Sequence, residues 1–317
     1  MKALVLGGGG FIGGHLIEDL VRRGYCVRAA DVKHPEFSKT AAHDFVIGDL
    51  RDPEFVRKIM KTKNGFDEVY QLAADMGGAT YINCGDHDAD VMSNSVTINV
   101  NVAKACVEFN AKKLFFASSA CVYHTQTCRE DEAYPAFPDN EYGWEKLFTE
   151  RMFRSFQRQH GLEVRVARFH SVVGDYSTWD GGKEKAHSAL ARKVAMVEDG
   201  GVIDVIGDGS QLRTFMYVKD CVEGIRSLMD SSINESLNIG SDYLVSINQY
   251  IDVLRKISGK NFTINNISGA TGTMHRECDL TKTRTLLGWE PRTSLEESTR
   301  ITYEWILSQC QSRAKGK

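Results

Sequence analysis

Short apolar runs and longer amphipathic stretches take turns from the first residues of the chain. Lys2–Leu6 predicts a strand, Phe11–Arg23 a helix, and Tyr25–Asp31 a second strand. Phe45–Ile47 is a short strand, and Pro53–Lys61 is helical with proline at its start. Asp67–Leu72 predicts a strand and Val91–Phe109 a long helix. The strand Lys113–Ala117, the helix Glu141–Gln159 and the strand Glu163–Phe169 follow. Strands separated by helices build parallel βαβ units, because a parallel pair needs a crossover. The expected fold is α/β, a doubly wound parallel sheet.

Beyond about residue 170 the rhythm changes. Residues 171–185, SVVGDYSTWDGGKEK, form a polar, glycine-containing stretch too long for a simple turn, which points to a functional loop. Helices are expected at Ala186–Val197, Lys219–Met229 and Ile247–Ile257, with an amphipathic closing helix at Glu296–Gln311. This divides the chain into a first unit, residues 1–170 with 210–240 returning to it, and a smaller C-terminal α/β lobe from 171–209 and 241–317.

The composition is that of a protein with a real core: 317 residues, 42% hydrophobic and 26% charged. A net charge of −3 offers nothing to nucleic acid or an anionic membrane, and no apolar run reaches the ~20 residues of a membrane span. Eight cysteines (26, 84, 106, 121, 128, 221, 278 and 310) are scattered without a C-x-x-C pair. That argues against zinc and for reduced, mostly buried thiols in the cytoplasm.

Chemistry concentrates in two places. The first turn, GGGGFIGGHL, spaces Gly7, Gly10 and Gly13 between a strand and a helix. Small residues there let a pyrophosphate approach the N–H groups of a helix N-terminus. Asp31 closes the next strand, near the ~20-residue spacing at which a carboxylate accepts the ribose hydroxyls. It would repel a 2′-phosphate, so NAD is expected over NADP, with Arg28 and Lys33 nearby as the counter-argument. The first unit thus reads as a Rossmann-type NAD-binding domain. Asp49 and Leu50 could cap the adenine or make a plain turn. The second place is Ser119, just past an apolar strand, followed by Tyr142 and Lys146 as Y-x-x-x-K on one helical face. An ammonium beside a phenol lowers its pKa, which would make Tyr142 a base with Ser119 on the same substrate oxygen.

The glycine turn, Ser119 and Y-x-x-x-K, in this order, resemble the extended short-chain dehydrogenase/reductase family over nearly the whole chain. SSAC (118–121), Y-G-x-E-K, RFH (168–170) and W-x-G-G-K-E-K-A (179–186) are similar to its GDP-mannose 3,5-epimerase branch. The resemblance implies an isomerase with tightly held NAD, a GDP-mannose-like nucleotide-sugar substrate bound by the C-terminal lobe, and a homodimer. Catalysis would fall to Ser119, Cys121, Tyr142, Lys146 and Lys185. Cys121 and Lys185 would exchange protons at sugar carbons made acidic by transient oxidation at C4. A thiol suits that task because its pKa of ~8.5 is close to neutrality and falls near a cation. Lys185 is expected to have its pKa lowered by Lys183 and by desolvation. The implied cofactor set is Gly7, Gly10, Phe11, Ile12, Gly13, Asp31, Asp49, Leu50, Leu72, Ala73 and Ala74, with Tyr142 and Lys146.

The substrate set implied is Met76, Gly77 and Gly78 along the sugar, Ser119, Cys121, Ser171 and Lys185, and Lys193, Arg213 and Arg276 on the diphosphate. Asn99 is expected to support the catalytic helix. Ser171 stands where that family has asparagine, and Ala120-Cys121 replaces the acidic pair of the dehydratases. A 4-epimerase or C4 oxidoreductase on a different GDP-sugar is the alternative.

Overall fold

The computed structural model describes residues 1–78, 81–82, 85–124, 136–269 and 273–315; Cys84 and Cys128 lie outside them. The first half contains β1 (Lys2–Leu6), α1 (Phe11–Arg22), β2 (Cys26–Asp31), β3 (Asp44–Ile47), α2 (Pro53–Met60), β4 (Glu68–Gln71), α3 (Asp88–Glu108), β5 (Lys113–Ser119), α4 (Glu141–His160) and β6 (Glu163–Phe169). These follow the predicted order with shifts of a few residues at their ends. Local signals set those ends. Asp52 caps α2 ahead of Pro53. Asn140 accepts the Gly143 N–H at the start of α4, and Gly161, at φ 73°, closes it.

Six of these strands and a seventh, β11 (Ser236–Ile239), form one sheet in the order β11-β6-β5-β4-β1-β2-β3, parallel at every pairing. Strands covered on both faces need apolar residues at successive positions, and Ala3–Leu6 are all fully buried. One face packs on α1 and on α6 (Val218–Asp230) through Leu16, Ile17, Leu20, Val222, Ile225 and Leu228. The other packs on α2, α3 and α4 through Val56, Ile59, Val102, Ala103 and Phe153.

The second half adds β7 (Val172–Val173), α5 (Ala186–Met196), β8 (Gly201–Ile206), β9 (Leu212–Thr214), β10 (Met216–Tyr217), β12 (Leu244–Ser246), α7 (Ile247–Ser258), β13 (Phe262–Ile267), α8 (Thr281–Leu287) and α9 (Leu295–Lys315). The short strands pair as β7 with β10, β9 with β12 and β8 with β13. Their own core joins α5, α7 and α9 around Leu190, Val194, Tyr250, Ile251 and Ile306. The predicted loop 171–185 thus begins with a two-residue strand. Among the described residues no helix is long and apolar enough to cross a membrane. Among the described residues six cysteines are free thiols; Cys106, Cys221 and Cys278 are buried, and Cys26 is exposed, against expectation.

Candidate active site

The chain leaves β1 for β2 on one side, and β4 pairs with β1 on the other. That reversal opens a crevice at the carboxyl ends of the two strands, where doubly wound sheets hold ligands. A cavity of about 1810 Å³ occupies it and continues to the residues of the second half. Every candidate residue named above except Asn99 lines this cavity.

At one end, α1 starts without a side-chain cap and with no acidic residue in its first turn, so its N–H groups and dipole are open to an anion. A methyl group on Gly13 would stand 2.1 Å from the Gly7 carbonyl oxygen, so the helix can approach the loop this closely only with glycine. Asp31 is held in place by the Gly9 N–H at 2.9 Å and the Lys33 N–H at 3.3 Å. Arg28 is bound to Asp44 and the Ile59 carbonyl, and the Lys33 ammonium lies 3.6 Å from Glu36. Both cations that counted toward a 2′-phosphate therefore have carboxylate partners. Asp49 is engaged by the Arg51 guanidinium. These residues fit a dinucleotide.

At the other end, the Ser119 hydroxyl accepts the Cys121 N–H at 3.1 Å. It thereby caps a single 3₁₀ turn, Ala120–Val122, that carries the cysteine. The first turn of α4 lies against that turn: a Cβ on Gly143 would be 2.1 Å from the Cys121 carbonyl oxygen. Tyr142 is thus brought close enough to Ser119 for the hydroxyl to act on its phenol. Burial pushes its phenol above the ordinary tyrosine range; Cys121 and the Glu145 carboxylate add to the shift, and the Ser119 hydroxyl opposes it. This corrects the expectation of a lowered pKa. The Lys146 ammonium sits 5.5 Å from the Tyr142 ring centroid and only 3.7 Å from Glu145, so much of its field is answered by a carboxylate.

Glu145 is the residue the sequence reading missed. It is fully buried, as are Gln71, Asn99 and Thr149. Asn99 donates to Glu145 Oε1 at 2.8 Å and to Thr149 Oγ1 at 3.1 Å, and accepts from Gln71 at 2.7 Å. The polar chain ties the end of β4 through α3 to α4. Its sequence signal was its place in Y-G-x-E-K, as the acidic residue beside Lys146.

Arg276 extends to the Cys121 sulfur, with Nη1 3.9 Å from Sγ, and sets a permanent positive charge beside the thiol. Lys185 precedes α5 at its N-cap. Its side chain borders the cavity from an exposed position; the walls around it pull its ammonium below the ordinary lysine range while Cys121 pulls it back. Lys183 is no cause of that shift, contrary to expectation. Its ammonium turns to the Tyr81 ring, 4.1 Å from the centroid. Lys193 donates to the Asp204 carbonyl at 2.6 Å, Arg213 to the Leu212 carbonyl at 2.8 Å, and Ser171 accepts the Met216 N–H through its own carbonyl. Trp179 packs under Arg313 rather than facing the cavity.

A parallel sheet with an anion-ready glycine turn at its switch point, and a Ser-Tyr-Lys set across the cleft, defines a dinucleotide-dependent enzyme. Residues 3–240 match the NAD dependent epimerase/dehydratase family. GDP-mannose 3,5-epimerase 1 of Oryza sativa subsp. japonica is 36% identical over 320 residues, 98% of this chain and 83% of the rice protein. The UDP-glucose 4-epimerase of Thermotoga maritima, solved with UDP-glucose, superposes with a TM-score of 0.86 at 26% identity, over 98% of this chain and all of that one. The UDP-glucuronic acid 4-epimerase of Bacillus cereus, solved with UDP-glucuronic acid and NAD, gives 0.82 at 25%, over 98% and 100%. The chain belongs to the NAD dependent epimerase/dehydratase family, within the extended short-chain dehydrogenases/reductases, and its cofactor is NAD.

Proposed function

We propose that the protein is an isomerase that epimerises a GDP-mannose-like nucleotide-sugar at C5, C3 or both. The observation that carries this reading is the presence of Cys121 and Lys185 in the same cavity as Ser119, Tyr142 and Lys146, near enough to perturb one another. A simple 4-epimerisation has no task for a thiol or a second amine.

In this reading Gly7, Gly10–Gly13, Asp31, Asp49, Leu50 and Leu72–Ala74 hold the dinucleotide. Held there, NAD would supply reversible hydride acceptance at sugar C4. Tyr142 removes the C4 hydroxyl proton while Ser119 holds the same oxygen. Its raised pKa makes it a strong base once ionised, and Lys146 stabilises that form. The C4 ketone acidifies the neighbouring C–H bonds. Cys121, with Arg276 beside it, withdraws a proton from carbon, and Lys185 delivers one from the other face, inverting the centre. A lowered lysine pKa makes that delivery easier near neutral pH. Met76, Gly77, Gly78 and Ser171 border the sugar, and Lys193, Arg213 and Arg276 supply charge for the diphosphate.

We assign residues 1–170 and 210–240 to NAD binding and the rest to a nucleotide-sugar lobe. A cytoplasmic homodimer fits the free thiols and an exposed apolar face on α3 and α4. There Trp144 and Phe148 stand one turn apart, Phe137 meets Trp144 edge-on at 5.6 Å, and Met92 is 37% exposed. The alternative, a 4-epimerase or C4 oxidoreductase on another GDP-sugar, draws on Ser171 and on the likeness to 4-epimerases. Incubation with GDP-mannose in deuterated water separates the two. Deuterium at C3 or C5 is expected; epimerisation at C4 with those carbons unlabelled would overturn the proposal.

A further inference from the structure

Lys183, Glu184 and Lys185 run as a strap across the mouth of the cleft, and each side of the cleft grips it. On the sheet side, the Gly78 N–H donates to the Lys183 carbonyl at 3.1 Å. The approach is so close that a Cβ on Gly78 would stand 2.6 Å from the Glu184 carbonyl oxygen. The Lys183 ammonium lies over the Tyr81 ring. That ring is itself fixed: it stacks on His87 at 4.3 Å, its hydroxyl donates to Asp75 at 3.1 Å, and Asn94 holds the other Asp75 oxygen at 2.9 Å. On the lobe side, Glu184 is held by Arg192 at 3.0 Å and by the Gly182 N–H at 2.6 Å, and Arg192 also pairs with Asp180. Consecutive residues are thus anchored on opposite walls, and the next residue is Lys185.

We propose that Lys183 and Tyr81 are positioning residues whose cation–π contact draws the strap shut and aims the Lys185 ammonium at the sugar. The inference rests on the reading of Lys185 as the proton donor. A contact of this kind, partly open to solvent, supports an effect of about 3- to 10-fold. It acts on proton exchange and not on C4 oxidation, whose residues lie on the sheet side of the cleft.

The test uses the full-length enzyme with GDP-mannose in deuterated water and two readouts: uptake, meaning deuterium at the inverted carbon of the epimeric product (deuterium returned with retention needs only the thiol and is not counted), and transient absorbance of the reduced nicotinamide. Lys183→Met and Tyr81→Leu are expected to slow deuterium uptake at saturating substrate about 3- to 10-fold with the absorbance transient unchanged. Lys183→Arg and Tyr81→Phe should return uptake to within about twofold, because charge and ring are restored. The double variant Lys183→Met/Tyr81→Leu should be no slower than either single change, since both remove one contact. Parental uptake in Lys183→Met, additive losses in the double variant, or a rise in KM with saturated uptake unchanged would each overturn the proposal. Lys183 is exposed, so its replacement spares the core and decides the matter if Tyr81→Leu does not fold. Lys185→Met separates this failure from that of the underlying reading. Parental uptake in Lys185→Met refutes the donor itself, whereas uptake lost there but parental in Lys183→Met refutes only the strap.

Discussion

Replacing Asn99 with leucine tests whether the buried polar chain beneath α4 is structural support for the catalytic helix. Leucine keeps asparagine's branched, four-heavy-atom side chain and is somewhat bulkier, so the change removes hydrogen bonds without opening a cavity. Three bonds go: two donated to Glu145 and Thr149 and one accepted from Gln71. Gln71 keeps the Ala73 carbonyl, and Glu145 keeps Thr149 and the nearby Lys146. Glu145 Oε2 already has no hydrogen bond among the described residues, so the carboxylate has no reserve. A buried polar group that loses its partner costs about 1–3 kcal/mol, and a charged one more. With two groups partly compensated, the expected destabilisation is about 2–4 kcal/mol. Urea unfolding at constant m reports it as a fall in the midpoint. At temperatures where the variant is folded, kcat should fall on the order of tenfold, because the group beside Lys146 is no longer fixed. A stability loss below about 1 kcal/mol together with parental kcat would refute the reasoning.

Acid sensitivity should be traceable to His187, whose pKa burial and the Lys185 charge pull down to about 3. Above the unfolded value of ~6.5 the ring is neutral in both states; below it the unfolded chain takes a proton the folded one refuses. Stability is therefore lost at about 1.4 kcal/mol per pH unit from ~6.5 down toward the folded value. Between about pH 7 and about pH 5, His187→Gln should lose about 2 kcal/mol less than the parent in urea titrations, and parallel losses would contradict the assignment. Gly13→Ala places its methyl group 2.1 Å from the Gly7 oxygen and should yield folded protein without co-purifying NAD; retention of bound NAD would count against the site. Trp144→Glu with Phe148→Glu should convert a dimer to monomer in sedimentation, and a monomeric parent or an unchanged dimer would remove that face as the interface.

The parallel half of the fold was legible because most of its strands are buried on both faces and because α2 and α4 carry side-chain caps. The lobe was not. In β8, GVIDVI, only Ile203 and Val205 are buried, and β13, FTINNI, buries little more than Phe262. Half-exposed short strands with Asp, Asn and Thr give a weak alternation and went unread, as did the seven-residue α8. Buried polar partnerships were equally hidden. Arg226 is 3% exposed and meets Glu68, Tyr25, Tyr70 and Asp230, partners up to 201 positions away. The same limit applies in the site. Motif spacing indicated which side chains belong together, and the cavity does gather them. It could not show that Lys183 turns to Tyr81, that Arg276 reaches the Cys121 sulfur, or that Glu145 competes for the charge of Lys146, because each depends on chain segments meeting only in the fold.

The most direct measurement is a single turnover of Cys121→Ala with GDP-mannose in deuterated water. The account predicts a persisting reduced-nicotinamide absorbance, since Ser119, Tyr142 and Lys146 are intact, with deuterium uptake at C5 lowered by about 10²–10⁴-fold, the contribution of a placed acid or base. Parental uptake at C5 in that variant would contradict the role of the thiol and with it the proposed reaction.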